Sequence, residues 1–194
     1  MQKQNKPHSC EYEVIQMIST AAVQKQPDSF SISGDPVFNA EFYGPYEAAV
    51  QAALEMLCAA RVRHACDVLT LHFRLKSPAS IRGKLRKKGM PETAQAAGLC
   101  LRDVAGLRAV LTSRQAVYRF AHTLMSSGVA QLDEVHDYIA APKQSGYRSL
   151  HLIFSVPVVL DSQAYLVPVE IQLRTASMDA WACMEHRLIY KPVT

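Results

Sequence analysis

Apolar and polar residues alternate along three stretches of the chain. In VLTLHFRLK (68–76), Leu69, Leu71, Phe73 and Leu75 share one side, and Thr70, His72, Arg74 and Lys76 share the other. In SGYRSLHLIF (145–154), Arg148, Leu150, Leu152 and Phe154, continued by Val156, oppose Tyr147, Ser149, His151 and Ile153. In YLVPVEIQLRT (165–175), Val167, Val169, Ile171 and Leu173 oppose Glu170, Gln172 and Arg174. A period of two predicts strands with one face in a core. RDVAGLRAVLT (102–112) and QLDEVHDYI (131–139) read as two further strands.

Helical spacing fills the intervals. YGPYEAAVQAALEMLCAARVRHA (43–65) carries a stripe of Tyr46, Val50, Leu54 and Leu57, with Gly44-Pro45 as its opening. SPASIRGKLRKKG (77–89) has Ser77 as N-cap, Pro78 in the first turn and Gly89 as its stop. RQAVYRFAHTLMSSG (114–128) is amphipathic through Val117, Phe120, Ala121 and Leu124. ASMDAWACMEHRLIY (176–190) closes through Met178, Trp181 and Leu188. Ahead of these, residues 1–9 read as a tail, 10–24 as a short helix and the Pro-, Ser- and Gly-rich 25–36 as a linker. The order predicts an α+β fold, a mixed five-stranded sheet flanked by helices. Residues 148–174 are expected to form an antiparallel hairpin, with Pro168 marking an edge or a bulge.

Composition adds little. The 194 residues are 49% hydrophobic and 20% charged, with a net charge of +4, which does not indicate nucleic-acid binding. Five cysteines (10, 58, 66, 100 and 183) lack CxxC spacing and are expected to be reduced, which disfavours zinc and disulfide frameworks. The chain carries no secretory h-region and no run of membrane-spanning length, so a cytoplasmic protein is the default and no membrane partner is expected.

The chemistry gathers on the polar sides of the strands. If those sides coincide, the sheet presents a floor of cations, an aromatic ring, an imidazole and a carboxylate. Each strand taken singly also fits a plain solvent-facing surface. Between Asp67 and Glu92 stand seven Lys or Arg (74, 76, 82, 84, 86, 87 and 88) and no acid. That block suits either a solvated helix face or a polyphosphate clamp, to which Ser77 and Ser80 could add hydroxyls. Asp103 and Glu170, on separate strands, would suit Mg²⁺ beside phosphates, or ordinary ion pairs. The pair His136-Asp137 lacks a supporting histidine cluster, and His64, His72 and His122 read as surface or core residues.

At DYIAAPKQSGYRSLHL (137–152) and VEIQLRTASMDAWACMEHRLIYK (169–191) the chain resembles the small alarmone synthetases, single-domain relatives of RelA and SpoT. FRLKSPASIRGKLRKKG (73–89) and RDVAGLR (102–108) match in the same order, and the resemblance covers roughly 41–191. It implies a nucleotidyltransferase-like mixed sheet, with residues 1–40 as an N-terminal arm and linker and 41–194 as the synthetase domain. It implies a GTP/GDP pyrophosphokinase that moves the β,γ-pyrophosphate of ATP to the 3′-hydroxyl of GDP or GTP with Mg²⁺ as cofactor. On the ATP side, Arg74 and Arg108 would sandwich the adenine. Lys76 and Lys84, with Ser80, Arg86 or Lys87, would meet the phosphates. Asp103 and Glu170 would be catalytic and hold the metal. On the acceptor side, Tyr147 would stack on the base and Lys143 and His151 would contact phosphates. Ser149, Gln172 and Arg174 belong to the same side; Glu185 and His186 fall in the motif without an assigned role.

Two other readings stay open. One is a toxic relative that makes adenosine alarmones or pyrophosphorylates the tRNA 3′-CCA end. The other is a non-catalytic nucleotide- or RNA-binding module. Housekeeping relatives continue into C-terminal helices that build a homotetramer, whereas this sequence stops at YKPVT, which leaves homo-oligomer formation open. With no hydrolase domain ahead of the synthetase, degradation of the alarmone is not expected.

Overall fold

The computed structural model describes residues 23–25 and 35–185. The five expected strands are β2 (Val68–Leu75), β3 (Ala105–Leu111), β4 (Gln131–Asp137), β5 (Leu150–Leu160) and β6 (Gln163–Thr175). A sixth, three-residue strand, β1 (Val23–Lys25), joins one edge. The sheet runs β1-β2-β3-β6-β5-β4 and is mixed: β1–β2 and β3–β6 are parallel, and the other pairs are antiparallel. Val23 and Gln24 are therefore strand rather than the helix expected over 10–24. The rest of that segment, the tail over 1–9 and linker residues 26–34 lie outside the described residues.

Helix α1 (Ala40–Arg63) lies against β5, β6 and β3 and meets α4 (Arg114–Met125). Of its stripe, Tyr46, Val50 and Leu57 are buried and Leu54 is partly buried, with Tyr43 buried ahead of them, while α4 buries Val117, Phe120, Ala121 and Leu124 as its spacing predicts. These side chains pack with Leu71, Leu107, Ile171, Leu173, Leu152 and Phe154 from the sheet in one core. Phe38 and Tyr43 are fully buried, so packing begins ahead of residue 41. No helix among the described residues is long and apolar enough to cross a membrane.

Several local expectations need correction. Gly44-Pro45 does not open α1; Asn39 caps it, accepting from the Phe42 amide, and Pro45 sits inside the helix. Leu69 is 45% exposed because the β2–β3 register shifts between Val68 and Thr70. The bulge turns Val68 inward in its place, since one extra residue exchanges the two faces. Residues 145–149 precede β5 rather than starting it. Trp181 is 46% exposed and rests against Gly146 instead of entering the core. Its helix, α5 (Ala176–Glu185), is described only to Glu185, so Leu188 lies outside. A short helix, α3 (Ala94–Cys100), escaped the pattern altogether.

The β5–β6 hairpin forms as expected. Leu160 pairs with Gln163, and Asp161 and Ser162 between them have φ of 49° and 64°, the double positive φ of a type I′ turn. β6 lies inside the sheet, but its pairing with β3 begins at Val169. Pro168 thus falls where β6 has a neighbour only in β5, a locally one-sided position that tolerates its missing N–H.

Candidate active site

Strand register brings the polar sides together. His72 pairs with Arg108, Arg108 with Gln172, Gln172 with His151, and His151 with His136, so one row crosses five strands. The next row runs Arg74, Gly106, Glu170 and Ile153. Gly106 contributes no side chain between Arg74 and Glu170, and a cleft lined by Arg74, Asp103, Arg108, Glu170 and Gln172 opens there. His72, set aside on sequence grounds, lines it too.

The loop between α3 and β3 delivers Asp103. Its Oδ2 accepts from Lys76 Nζ at 2.9 Å and from Lys84 Nζ at 2.6 Å. Burial raises the Asp103 pKa, but the two ammonium groups outweigh it and hold the carboxyl below its usual range. Burial likewise lowers Lys76, against the pull of Asp103. Lys84 comes from α2 (Pro78–Lys87), where Ser77 caps the first turn by accepting from the Ser80 amide and Pro78 follows. The Ser77 hydroxyl donates to Ser80 Oγ at 2.9 Å, which places Ser80 at the cap, exposed.

The basic block is not free of acids in space. Asp35 accepts two hydrogen bonds from Arg82, at 2.6 and 2.9 Å, and Glu92 lies 3.4 Å from Arg82 and 3.3 Å from Arg86. Arg86 and Lys87 are exposed, whereas Lys76 and Lys84 converge on Asp103. Of the block, Lys76 and Lys84 are thus the two that meet at one carboxylate beside the cleft.

Asp35 also accepts from the Val37 and Phe38 amides, so it ties α2 to the entry of α1. The Arg82 hydrogen bonds and these amides hold its carboxyl well below the usual range. A depressed folded pKa stabilises the fold above the unfolded value of about 3.9 and loses that contribution as pH falls through the folded value. Asp35→Asn should therefore lower the melting temperature at pH 7, and the gap to the unaltered protein should close as pH drops below about 4. A gap that does not depend on pH would refute this.

On the other side of the cleft, Glu170 belongs to a closed ring of hydrogen bonds. Glu170 Oε2 lies 3.2 Å from His151 Nδ1; His151 Nε2 lies 2.9 Å from the Tyr147 hydroxyl. Arg174 Nη2 donates to that hydroxyl at 2.6 Å and to Gln172 Oε1 at 2.7 Å, and Gln172 Nε2 donates to Glu170 Oε1 at 2.5 Å. Burial raises the Glu170 pKa, but His151 and Gln172 outweigh it and keep the carboxyl below its usual range.

Arg174 is 4% exposed. Its Nη1 donates to Asp179 Oδ1 at 3.0 Å, the same oxygen that Arg108 Nη1 reaches at 3.0 Å. Asp179, on α5, thus bridges the two arginines. Nothing in the sequence singled it out, because its partners lie 71 and 5 residues away.

Ser149 is fully buried, donating to the Leu173 carbonyl and accepting from Arg174 Nε, so it is not a surface for a nucleotide. Lys143 Nζ sits 4.5 Å from the ring centre of Tyr138 and 5.0 Å from that of Tyr147. Tyr138, also missed, meets His151 edge-on. Glu185 ends α5, and His186 lies outside the described residues.

The chain is similar to known proteins. The family described as the region found in RelA / SpoT proteins matches residues 73–194, and the chain belongs to that family. It is 40% identical over 118 residues to the GTP pyrophosphokinase YwaC of Bacillus subtilis, covering 61% of this chain and 56% of that one. It is 38% identical over 122 residues to the GTP pyrophosphokinase YjbM of the same organism, covering 61% and 54%. The chain thus spans about half the length of these curated relatives. Among solved structures, the Bacillus subtilis small alarmone synthetase 1 bound to its product pppGpp superposes with a TM-score of 0.72 at 32% identity, over 78% of this chain and 79% of that one. The same synthetase bound to AMPCPP gives 0.64 at 28%, over 78% and 77%.

Proposed function

We propose that the chain transfers the β,γ-pyrophosphate of ATP to the 3′-hydroxyl of GDP or GTP, releasing AMP and leaving (p)ppGpp. The observation that carries this reading is the cleft itself. Asp103, with two lysines, and Glu170, in its ring, line the same space, one from the loop ahead of β3 and the other from β6. The pyrophosphokinase names of the relatives and the two nucleotide complexes of a structural neighbour support it.

Arg74 and Arg108 present planar guanidinium groups along the cleft and would flank the donor base. Lys76 and Lys84 would turn from Asp103 to the triphosphate. The Tyr147 ring, with Lys143 beside it, would receive the acceptor base and phosphates. The residues present also fit a magnesium ion. Among the described residues, Asp103 Oδ1 is buried with no hydrogen-bond partner, and no group of three or more His, Cys, Asp or Glu side chains forms a closed metal site. One or two carboxylates completed by phosphate oxygens and water is the arrangement Mg²⁺ favours. When bound, the ion would neutralise charge on the transferred group. In the reaction the 3′-oxygen bonds to the β-phosphorus, the bond from that phosphorus to the oxygen bridging the α-phosphate breaks, and AMP leaves with that oxygen. Glu170 would orient the hydroxyl and take its proton. Because Glu170 is held below its usual pKa it is a weak base, so alignment contributes more than proton abstraction. Soluble nucleotide substrates would place the reaction in the cytoplasm.

The test is an acceptor panel. Purified protein with Mg²⁺ and ATP labelled at the β or γ phosphate is offered GDP, GTP, ADP or deacylated tRNA in parallel. Label on GDP or GTP is expected. Label confined to ADP or tRNA would replace the reading with the adenosine- or tRNA-directed one, and no transfer at all would leave a nucleotide-binding module.

A further inference from the structure

A buried hydroxyl behind the cleft holds the corner that delivers its lysines. Lys76 stands between the end of β2 and Ser77, the N-cap of α2. Its amide donates at 2.8 Å to the carbonyl of Val104, the residue after Asp103, and its own carbonyl accepts from the Tyr43 hydroxyl of α1 at 2.7 Å. We infer that Tyr43 is a positioning residue for the donor side: together with the Asp35–Arg82 pair it fixes the β2–α2 corner, and so aims Lys76 and Lys84 at the triphosphate. The inference rests on the reading of those two lysines as the groups that meet ATP.

Geometry carries it. The peptide between Lys76 and Ser77 is planar, so a hydrogen bond to its carbonyl orients the whole unit. On one side of that unit is the Lys76 Cα, from which the side chain runs to Asp103. On the other is Ser77, whose carbonyl accepts from the Ile81 amide and whose hydroxyl accepts from the Ser80 amide in the first turn of α2. Turning this peptide would move the root of Lys76 and the start of α2 together. A second tie sets the rotation of the helix. Arg82 donates twice to Asp35 and lies 4.8 Å over the Phe38 ring. Residues two apart on a helix point about 200° apart. An Arg82 held on one side by Asp35 therefore turns Lys84 to the other, where Asp103 lies. Asp35, Phe38 and Tyr43 form one segment joined through Phe42, whose ring meets those of Phe38 and Tyr43 edge-on at 5.0 and 4.9 Å.

These ties differ in kind from the contacts at Asp103. The two ammonium groups share one carboxylate oxygen, and that contact is the one the triphosphate would replace. The Tyr43 hydrogen bond lies on the main chain behind the lysines, so ATP does not compete with it. Tyr43 is fully buried, and burial pushes its hydroxyl well above the usual tyrosine range, so it remains a donor at neutral pH. With the tie in place, the lysines keep their aim when they leave Asp103. Without it, ordering of the corner would fall on the binding step and weaken the affinity for ATP. The acceptor side stands on β5, β6 and the loop ahead of β5, so the loss should be confined to the donor.

Calorimetric titration of a non-hydrolysable ATP analogue with Mg²⁺, together with initial rates, tests this. Tyr43→Phe keeps the buried ring and removes one oxygen. It should weaken binding of the analogue about 3–10-fold and raise the KM for ATP alike, with the acceptor KM unchanged. Arg82→Lys, which keeps the charge but not the two-pronged contact, should act in the same direction. Val117→Ala, a core truncation on α4, measures the effect of lost stability alone: it should lower the melting temperature and leave the affinity for the analogue in place. A Tyr43→Phe protein that melts lower yet binds the analogue like the unaltered protein would overturn the inference and leave Tyr43 a packing residue. So would a loss shared equally by donor and acceptor. If Tyr43→Phe does not fold, Arg82→Lys decides by the same readings. If the unaltered protein binds the analogue but transfers nothing to any acceptor, the proposed function fails while the titrations still decide the inference. No binding of the analogue by the unaltered protein would overturn both.

Discussion

Glu170→Gln should reduce pyrophosphate transfer by about 10²–10⁴-fold while the protein remains folded. The substitution keeps shape and volume but removes the charge. It also places an NH₂ group where an oxygen now accepts from either His151 or Gln172. A donor then faces a donor in a site that is largely shut off from water, and the carboxylate that both halves of the ring address is gone. Leaving one such buried donor unmatched costs about 1–3 kcal/mol, which is a few degrees in melting temperature for a domain of this size. Binding of ATP should change little, because Arg74, Lys76 and Lys84 stand on other elements. Initial rates with labelled ATP, nucleotide titration and thermal unfolding check the three parts. A variant within tenfold of the unaltered rate would remove Glu170 from the chemistry; a variant that no longer melts cooperatively would show that the ring is needed for folding.

How far the sequence carries this site depends on which distances are local. Period-two patterning found the polar faces of β2, β5 and β6 because alternation is a property of one strand. It showed that Glu170, Gln172 and Arg174 share a side, and the closing of Gln172 onto both neighbours follows from that spacing. Alternation by itself leaves the coincidence of faces across strands a condition. Register supplied it, pairing His72, Arg108, Gln172, His151 and His136 in one row. Register is set by the whole sheet, so a chain read residue by residue shows the faces and not their partners.

The errors have the same origin. The basic block looked uncompensated because its acids, Asp35, Glu92 and Asp103, sit at the border of the window or beyond it. Ser149 looked like a ligand because it follows Tyr147 by two, yet the chain is not strand at that point and the hydroxyl turns inward to Leu173 and Arg174. Leu69 was misplaced by a bulge that no local pattern announces. α3 was missed because Ala94–Cys100 is too short and too uniformly small to show a stripe, although Thr93 caps it through the Ala96 amide.

Asp103→Asn should separate binding from catalysis on the donor side. The Asp103 carboxylate now takes both lysine ammonium groups on Oδ2 and leaves Oδ1 buried without a hydrogen-bond partner among the described residues. In the proposed reaction the lysines exchange Asp103 for the triphosphate, so the carboxylate competes with ATP for them. Removing its charge frees two cations, and in EDTA an ATP analogue should bind as tightly as before or more tightly. The same change removes an anionic metal ligand, so the gain that Mg²⁺ brings should vanish and transfer should fall by about 10²-fold or more. Loss of the anion also leaves Lys76 buried beside Lys84, and burial already disfavours its charge. The variant should therefore melt lower than the unaltered protein, and adding the analogue should restore part of the difference by supplying phosphate oxygens in place of the carboxylate. Calorimetric titration of the analogue with and without Mg²⁺ decides the matter. Weaker binding in EDTA, or a Mg²⁺ effect equal to that of the unaltered protein, would show that Asp103 only anchors the lysines and does not hold the ion.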